Sequence, residues 1–122
     1  MAVYDENNIF AKILRGEIPC KKVYEDQHAL AFHDINPHAP IHVLVIPKGK
    51  YVSYDDFSQK ASAEEIAGLI RATGTVARQL GLETPGFRIV SNVGTDGEQS
   101  VLHLHIHVLA GRRLGQMVKR DD

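Results

Sequence analysis

The stretch that decides the fold is Val101-Leu102-His103-Leu104-His105-Ile106-His107-Val108-Leu109, in a sequence of 122 residues. Successive side chains of a β-strand point to opposite faces of the sheet. The alternation therefore predicts a strand that carries three histidines on one face, namely His103, His105 and His107. The apolar residues between them can face a hydrophobic core. Such a core does not require imidazoles on its other side, so the histidines need a separate explanation.

Composition limits the class of protein before any motif is considered. The chain is 43% hydrophobic and 24% charged with a net charge of -1, as in an ordinary globular protein. We expect one domain over residues 1–122, with 111–122 as a C-terminal tail. The balanced charge argues against nucleic acid or an anionic membrane surface as a partner.

The location of the protein is predicted from what the sequence lacks. Cys20 is the single cysteine, which excludes an internal disulfide and a multi-cysteine zinc site. No apolar run reaches the ~20 residues that a membrane span needs, and no basic segment followed by an apolar one opens the sequence. We therefore expect a cytoplasmic protein.

Two helices are predicted from apolar spacing and capping residues. The first covers 9–14, after a capping Asn7 or Asn8. The second follows Ser62, which forms a capping-box pattern with Glu65. Apolar residues then recur on one face until Leu80. The segment 51–59 is ambiguous, with at most one helical turn.

The remaining apolar segments are short and read as strands. They cover 22–25, 29–35, 41–46, 87–92 and the histidine stretch. The last two are expected to form an antiparallel hairpin around a loop rich in turn residues. The pattern predicts an α+β fold, a mainly antiparallel sheet of about five strands with two helices.

From the residues alone, the histidines allow three interpretations. In the first they are polar groups facing solvent, as on many half-solvated strands, although three in register and a further His42 in an apolar strand weigh against it.

In the second interpretation the histidines bind a metal. Adjacent members are roughly 6.8 Å apart along a strand and the outer pair about 13 Å, whereas a zinc–nitrogen bond is about 2.0–2.1 Å. Two of them with His42 or Asp34 can share an ion, but all three on a regular strand cannot.

The third interpretation is chemistry on phosphorus. A neutral imidazole can attack as a nucleophile while neighbouring imidazoles stabilise phosphoryl oxygens. An unperturbed pKa near 6.5 lets histidines share these roles at neutral pH. Gly94 and Gly97 allow the preceding loop to approach a phosphate closely, and Ser100 supplies a hydroxyl and an amide.

The histidine stretch resembles the signature of the histidine triad family, His-φ-His-φ-His-φ-φ, where φ is apolar. Further segments similar to the Hint branch of that family run through the chain: Asn8-Ile9-Phe10, Glu17-Ile18-Pro19, Ala31-Phe32-His33-Asp34-Ile35, Pro37-His38-Ala39-Pro40-Ile41-His42, Val45-Ile46-Pro47 and Gln99-Ser100-Val101. The segment 111–117 is similar to bacterial members. The resemblance implies a homodimer whose sheets join across a two-fold axis.

The resemblance also implies an activity, the hydrolysis of purine nucleoside 5′-phosphoramidates to a nucleoside monophosphate and an amine. His105 corresponds to the nucleophile, which forms a nucleotidyl-histidine intermediate, and His107 to a histidine that contacts the phosphate. His103 corresponds to a supporting member and His42 to a histidine that orients the triad. Ser100 is expected to contact the phosphate or the leaving nitrogen. We expect neither a cofactor nor a metal.

The nucleotide contacts are likewise implied by the resemblance. Asp34 corresponds to a residue that accepts hydrogen bonds from both ribose hydroxyls, a role that suits an ionised carboxylate. The apolar walls around the base correspond to Phe10, Ile13, Phe32 and Ile35. Phosphate-side contacts correspond to Asn92, Gln99 and the backbone of Glu98.

One position departs from the pattern, because Glu98 stands where the Hint branch usually has glycine. A carboxylate turned inward would repel a phosphate, so we expect this side chain to face water while its backbone serves the site. Two alternatives to a phosphoramidase remain. One is a dinucleoside polyphosphate hydrolase, and the other is a nucleotide-binding or scaffolding protein with little catalysis.

Overall fold

The computed structural model describes residues 3–121 and confirms the two predicted helices. Helix α1 (Ile9–Leu14) begins after Asn8, whose side chain accepts a hydrogen bond from a backbone amide of the first turn. The longer helix, Ala63–Gln79, begins with the predicted capping box between Ser62 and Glu65. Within residues 3–121 no helix combines the length and the apolar character that crossing a membrane requires.

A third helix lies where the sequence was ambiguous. This helix, α2 (Tyr54–Lys60), is capped by Ser53. Two acidic residues in its first turn stabilise the helix, because negative charge near the N-terminus interacts favourably with the helix dipole. Only Asp56 and Phe57 of its residues are buried, so its apolar periodicity is weak. The Ala63–Gln79 helix is therefore α3, and residues 3–121 contain three helices rather than the two predicted.

The five predicted strands form one sheet that is antiparallel throughout. Its strands are β1 (Lys22–Glu25), β2 (Ala29–His33), β3 (Ile41–Pro47), β4 (Arg88–Val90) and β5 (Ile106–Ala110). Their spatial order is β1-β2-β3-β5-β4. The expected hairpin between the last two strands is present, and the α+β class is confirmed.

Each face of the sheet has its own hydrophobic cluster. Val43 and Val45 of β3 belong to the larger cluster, together with residues of α3. Leu44 and Ile46, which alternate with them, pack with residues of α1 on the opposite face. In register, His107 of β5 lies opposite Leu44, so the alternation that builds the core also brings this imidazole to the α1 face.

The histidine stretch is only partly a regular strand, which corrects the sequence prediction. The ladder between β3 and β5 ends at the pair of Val45 and Ile106, and the chain bends at 101–103. At the end of β3 a ring nitrogen of His103, not a backbone amide, binds the carbonyl oxygen of Pro47. His103 and His105 thus precede the strand, and the three imidazoles do not form an evenly spaced row.

Candidate active site

The centre of the site is a group of three imidazoles on the α1 face. His42 of β3 and His107 of β5 are joined by a hydrogen bond of 2.8 Å between Nε2 and Nδ1. The ring centroid of His105 lies 5.0 Å from that of His107. Residues far apart in the sequence meet here because β3 and β5 are neighbours in the sheet.

His103 lies apart from this group and is completely buried, with 0% of its surface exposed. Its Nε2–H donates to the Pro47 carbonyl oxygen at 2.9 Å, which leaves Nδ1 to accept from the Tyr4 hydroxyl at 2.7 Å. Burial lowers the pKa of His103 to about 4. A neutral ring with both nitrogens occupied can support the site but has no atom left for a ligand.

His105 presents a free lone pair at Nε2. Its Nδ1 lies 2.7 Å from the carbonyl oxygen of His103, and because a carbonyl only accepts, the ring proton must be on Nδ1. The ring is buried and meets Phe10 edge to face at a centroid distance of 5.0 Å. Burial lowers the pKa of His105, so at neutral pH the imidazole is uncharged and its Nε2 can act as a nucleophile.

The same argument assigns the protons of the other two rings. The backbone N–H of His38 donates to Nδ1 of His42 at 3.0 Å, so His42 carries its proton on Nε2 and donates it to His107 Nδ1. His107 must then be protonated at Nε2, a buried nitrogen that finds no acceptor among the described residues. His107 therefore offers an unused Nε2–H donor, and the neighbouring His105 offers an unused lone pair on Nε2.

Burial also sets the charge of these two imidazoles. Burial, reinforced by His105 and His42 nearby, lowers the pKa of His107 to about 4. The pKa of His42 is lowered by burial, against a partly opposing effect of the Asp34 carboxylate, which lies 3.4 Å from Nε2. At neutral pH the group therefore presents dipoles rather than positive charges.

An apolar cavity of about 260 Å³ opens on one side of the histidines. Its lining includes every predicted base contact, with Phe10 and Ile13 on α1, Phe32 on β2, and Ile35, which is 93% exposed, at the rim. Asp34 lies on the same wall. The lining also includes residues that were not predicted as nucleotide contacts: Ile9, Ile18, Pro19, Cys20, His33, Leu44 and Val101.

A second, more polar cavity of about 460 Å³ also borders His107. It shares three residues with the apolar cavity: Asp34, Ser100 and His107. The remainder of its wall is formed by Asn36, His38, His42, Val90, Asn92, Glu98 and Leu109. Two cavities thus meet at Ser100 and His107, while His105 lines only the apolar one.

The loop before the histidines has a tightly determined backbone. A Cβ on Gly97 would lie 2.5 Å from the backbone oxygen of Val93, so only glycine fits there. Glu98 has a φ of +57°, in the left-handed region that glycine adopts most readily. This backbone conformation explains why the Hint pattern usually has glycine at the position of Glu98. The side chain of Glu98 is exposed, as expected, yet the residue also lines the polar cavity.

Gln99, predicted as a phosphate contact, lines neither of the two cavities. Its side-chain amide donates to the backbone oxygens of Val52 and Val101, and its carbonyl accepts from the amide of Gly94. These bonds use the side chain to anchor the loop.

A metal ion is a further chemical option at this site. Ligand atoms of Asp34, His42 and His107 lie within 4.8 Å of one another. Carboxylate and imidazole are suitable zinc ligands, but His42 Nε2 and His107 Nδ1 already bind each other. An ion at zinc–nitrogen distances of about 2.0–2.1 Å would have to break that hydrogen bond.

Two residues that fix the ring protons were missed by sequence reasoning. Tyr4 reaches His103 from 99 residues away, and no local pattern indicates that contact. His38 acts on His42 through its backbone amide, a role that residue type does not reveal. Its position in the segment Pro37-His38-Ala39-Pro40 was the one available signal, since the turn directs that amide back toward β3.

The chain is similar to known proteins over nearly its whole length. The model of the HIT domain matches residues 15–114. An uncharacterised 13.2 kDa HIT-like protein of Azospirillum brasilense is 68% identical over 117 residues, which cover 96% of each chain. A maize protein described as a 14 kDa zinc-binding protein is 47% identical over 115 residues, covering 90% of this chain and 86% of that one.

Solved structures extend the similarity to the fold. A histidine triad protein from Clostridium difficile has 42% identity and a TM-score of 0.82, with 93% of this chain and 98% of that one covered. A protein described as a HIT family hydrolase from Clostridium thermocellum has 36% identity and a TM-score of 0.86, covering 94% and 99%. From the domain match and these similarities, the chain belongs to the HIT family.

Proposed function

We propose that the protein is a hydrolase that cleaves the P–N bond of purine nucleoside 5′-phosphoramidates. The observation that carries the proposal is a pair of ring nitrogens on two neighbouring imidazoles that line the apolar cavity. His105 offers the Nε2 lone pair, because its Nδ1–H is bound to a carbonyl oxygen. His107 offers an Nε2–H without an acceptor among the described residues. The description of the C. thermocellum relative as a hydrolase supports the same class of reaction.

The reaction would proceed in two displacements at phosphorus. The Nε2 lone pair of His105 forms an N–P bond while the P–N bond to the amine breaks. The bonding electrons stay on the amine nitrogen, which takes one proton from solvent. A water oxygen then bonds to phosphorus, the electrons of the His105 N–P bond return to Nε2, and one water proton is released to solvent. His107 Nε2–H and Ser100 would stabilise the phosphoryl oxygens.

The supporting histidines would act by position rather than by contact with substrate. His103 orients His105 through its backbone oxygen and is itself locked at both ring nitrogens. His42 holds His107 in the tautomer whose Nε2 carries the proton. Fixed dipoles of this kind need no reorganisation during the reaction. Such preorganisation is the main source of electrostatic catalysis.

The nucleoside is proposed to occupy the apolar cavity. Phe10, Phe32 and Ile35 would contact the faces of the base, and the Asp34 carboxylate would accept hydrogen bonds from the ribose hydroxyls. The Asp34 Oδ1 already accepts from the backbone amide of Asn36, which orients the carboxylate. Walls that are mainly apolar suit a purine ring without distinguishing adenine from guanine.

Replacing His105 by alanine is expected to abolish turnover of an adenosine 5′-phosphoramidate, by at least ~10⁴-fold, because the nucleophile is lost. Rapid acid-free quenching and intact mass spectrometry should detect a nucleotidyl adduct on the wild-type protein and none on the variant. The matched control is His28→Ala, which removes an imidazole that bonds Gln27 and lies outside both cavities.

Substrate comparison separates the alternatives. A strong preference for a dinucleoside polyphosphate would favour that branch of hydrolases. Tight AMP binding without turnover of any conjugate would favour a binding or scaffolding protein. An adduct that persists in His105→Ala would contradict the proposed nucleophile.

The acid side of the pH profile should reflect His105. Protonation removes the Nε2 lone pair, so kcat/KM falls as the pH drops through the pKa of this imidazole. Because burial lowers that pKa below 6.5, we expect the midpoint of the decline to lie below pH 6.5. Steady-state kinetics from pH 4.5 to 8 test this expectation, with far-UV circular dichroism at each pH to confirm that the protein remains folded. An acid limb centred above pH 6.5 would contradict it.

Zinc binding is a second candidate function, favoured by the cluster of Asp34, His42 and His107 and by the description of the maize relative. We propose that zinc, where it binds, competes with catalysis rather than supporting it. Coordination of the two imidazoles would replace the hydrogen bond that sets the tautomer of His107.

Turnover is therefore expected to be unchanged after dialysis against EDTA and to fall when micromolar zinc is added. Magnesium at the same concentration is the control, because it prefers oxygen ligands and should leave the rate unchanged. Loss of activity in EDTA that zinc restores would instead establish a metal-dependent reaction.

We also propose that the protein is a homodimer joined along β4. This strand is at the end of the sheet order, with a partner on one side. An exposed edge can pair with a second chain. Ile89 at its centre is 54% exposed, and Phe87 just before it is also exposed. Pairing two such edges would continue the sheet across a two-fold axis.

An Ile89→Lys variant should sediment as a monomer, since lysine on the edge opposes pairing, whereas the wild-type protein should sediment as a dimer. Tyr54→Lys is a matched control, because Tyr54 on α2 is 55% exposed and distant in the sequence from β4. Sedimentation velocity at micromolar concentrations distinguishes the outcomes. A monomeric wild type, or an unchanged Ile89→Lys dimer, would refute the proposed interface.

A further inference from the structure

We propose that Glu98 makes this enzyme selective for leaving amines that carry a positive charge. The inference rests on the proposed phosphoramidase function and specifies its substrates further. It concerns the polar cavity, which adjoins the proposed nucleoside site at Ser100 and His107.

The position of the nucleophile indicates which cavity receives the leaving group. His105 lines the apolar cavity, whereas Ser100 and His107 line both cavities. In a displacement at phosphorus the attacking and leaving atoms are roughly in line, on opposite sides of the phosphorus atom. An amine opposite His105 therefore departs on the far side of Ser100 and His107, into the polar cavity.

The charge of that cavity favours a cationic occupant. Its described lining contains two carboxylates, Asp34 and Glu98, and neither lysine nor arginine. Asp34 is already engaged by the backbone amide of Asn36 and lies beside the His42 ring. Glu98 is exposed, and none of the ion pairs found among residues 3–121 includes it. Its carboxylate is thus available to an ammonium group on the leaving amine.

The loop holds Glu98 at the wall of this cavity. Its backbone amide donates to the Thr95 carbonyl oxygen at 3.0 Å, and the next amide, that of Gln99, donates to Gly94 at 3.0 Å. The Gln99 side chain ties the same loop to Val52. A glutamate in the left-handed region is less favourable than glycine, so Glu98 comes at a cost to stability. Attraction for a cationic amine is a functional reason for that cost.

Three adenosine 5′-phosphoramidates of similar length test the proposal. Their leaving amines are pentane-1,5-diamine, with a distal ammonium, pentylamine, which is uncharged at that end, and 5-aminopentanoate, with a distal carboxylate. For the wild-type protein kcat/KM should follow that order. In Glu98→Gln the cationic-to-anionic ratio should fall about fivefold, as expected for one exposed charge pair. Salt should weaken the wild-type preference.

Two further variants test whether the preference for a cationic amine depends on the Glu98 carboxylate itself. Glu98→Gly should lose the same preference and raise the melting temperature by a few degrees, because glycine relieves the unfavourable backbone conformation. Asp96→Asn removes a charge from the same loop at a residue outside the cavity lining, and should retain the wild-type ratio.

The outcomes separate this inference from the proposed function. Turnover of all three conjugates with the same ratio in wild type and Glu98→Gln would overturn the role of Glu98 and leave the phosphoramidase intact. An equal loss of preference in Asp96→Asn would overturn it as well, since the effect would belong to the general field of the loop. No turnover of any conjugate by the wild-type protein would overturn both.

Discussion

The hydrogen bond between His105 Nδ1 and the backbone oxygen of His103 is the interaction on which the rest of the site depends. It decides which ring nitrogen keeps its lone pair, and so where a nucleophile can be. The carbonyl that accepts this bond belongs to a residue whose own ring is held by Tyr4 and Pro47. A backbone carbonyl, not a charged side chain, thus sets the tautomer of the His105 imidazole.

The same principle is repeated at His107 with the opposite result. There the backbone amide of His38 donates to Nδ1 of His42, and the Nε2–H of His42 in turn donates to Nδ1 of His107. One imidazole is left with a lone pair and its neighbour with a donor. Burial lowers the pKa of His42, His103, His105 and His107, so that this division of roles persists at neutral pH without mutual repulsion of charges.

Much of this arrangement was predictable from the sequence, for identifiable reasons. Alternation along the histidine stretch correctly predicted that Ile106 and Val108 are buried, because a strand imposes a period of two. It also predicted correctly that Leu104 is buried, but it did not predict that the ladder stops at Ile106, since the end of a ladder depends on the partner strand. The predicted base contacts line the apolar cavity, whereas Gln99 anchors the loop. Long-range contacts such as Tyr4 to His103 leave no local signal.

The two cavities have a kinetic consequence under the proposed mechanism. They share Ser100 and His107 but not His105, so the nucleotide stays covalently attached on one side while the amine leaves from the other. The attacking water must then enter through the space that the amine has vacated. Product release is therefore ordered, with the amine first and the nucleotide last. A second amine that reaches the empty cavity before water would be joined to the nucleotide, so hydrolysis and transfer compete for one intermediate.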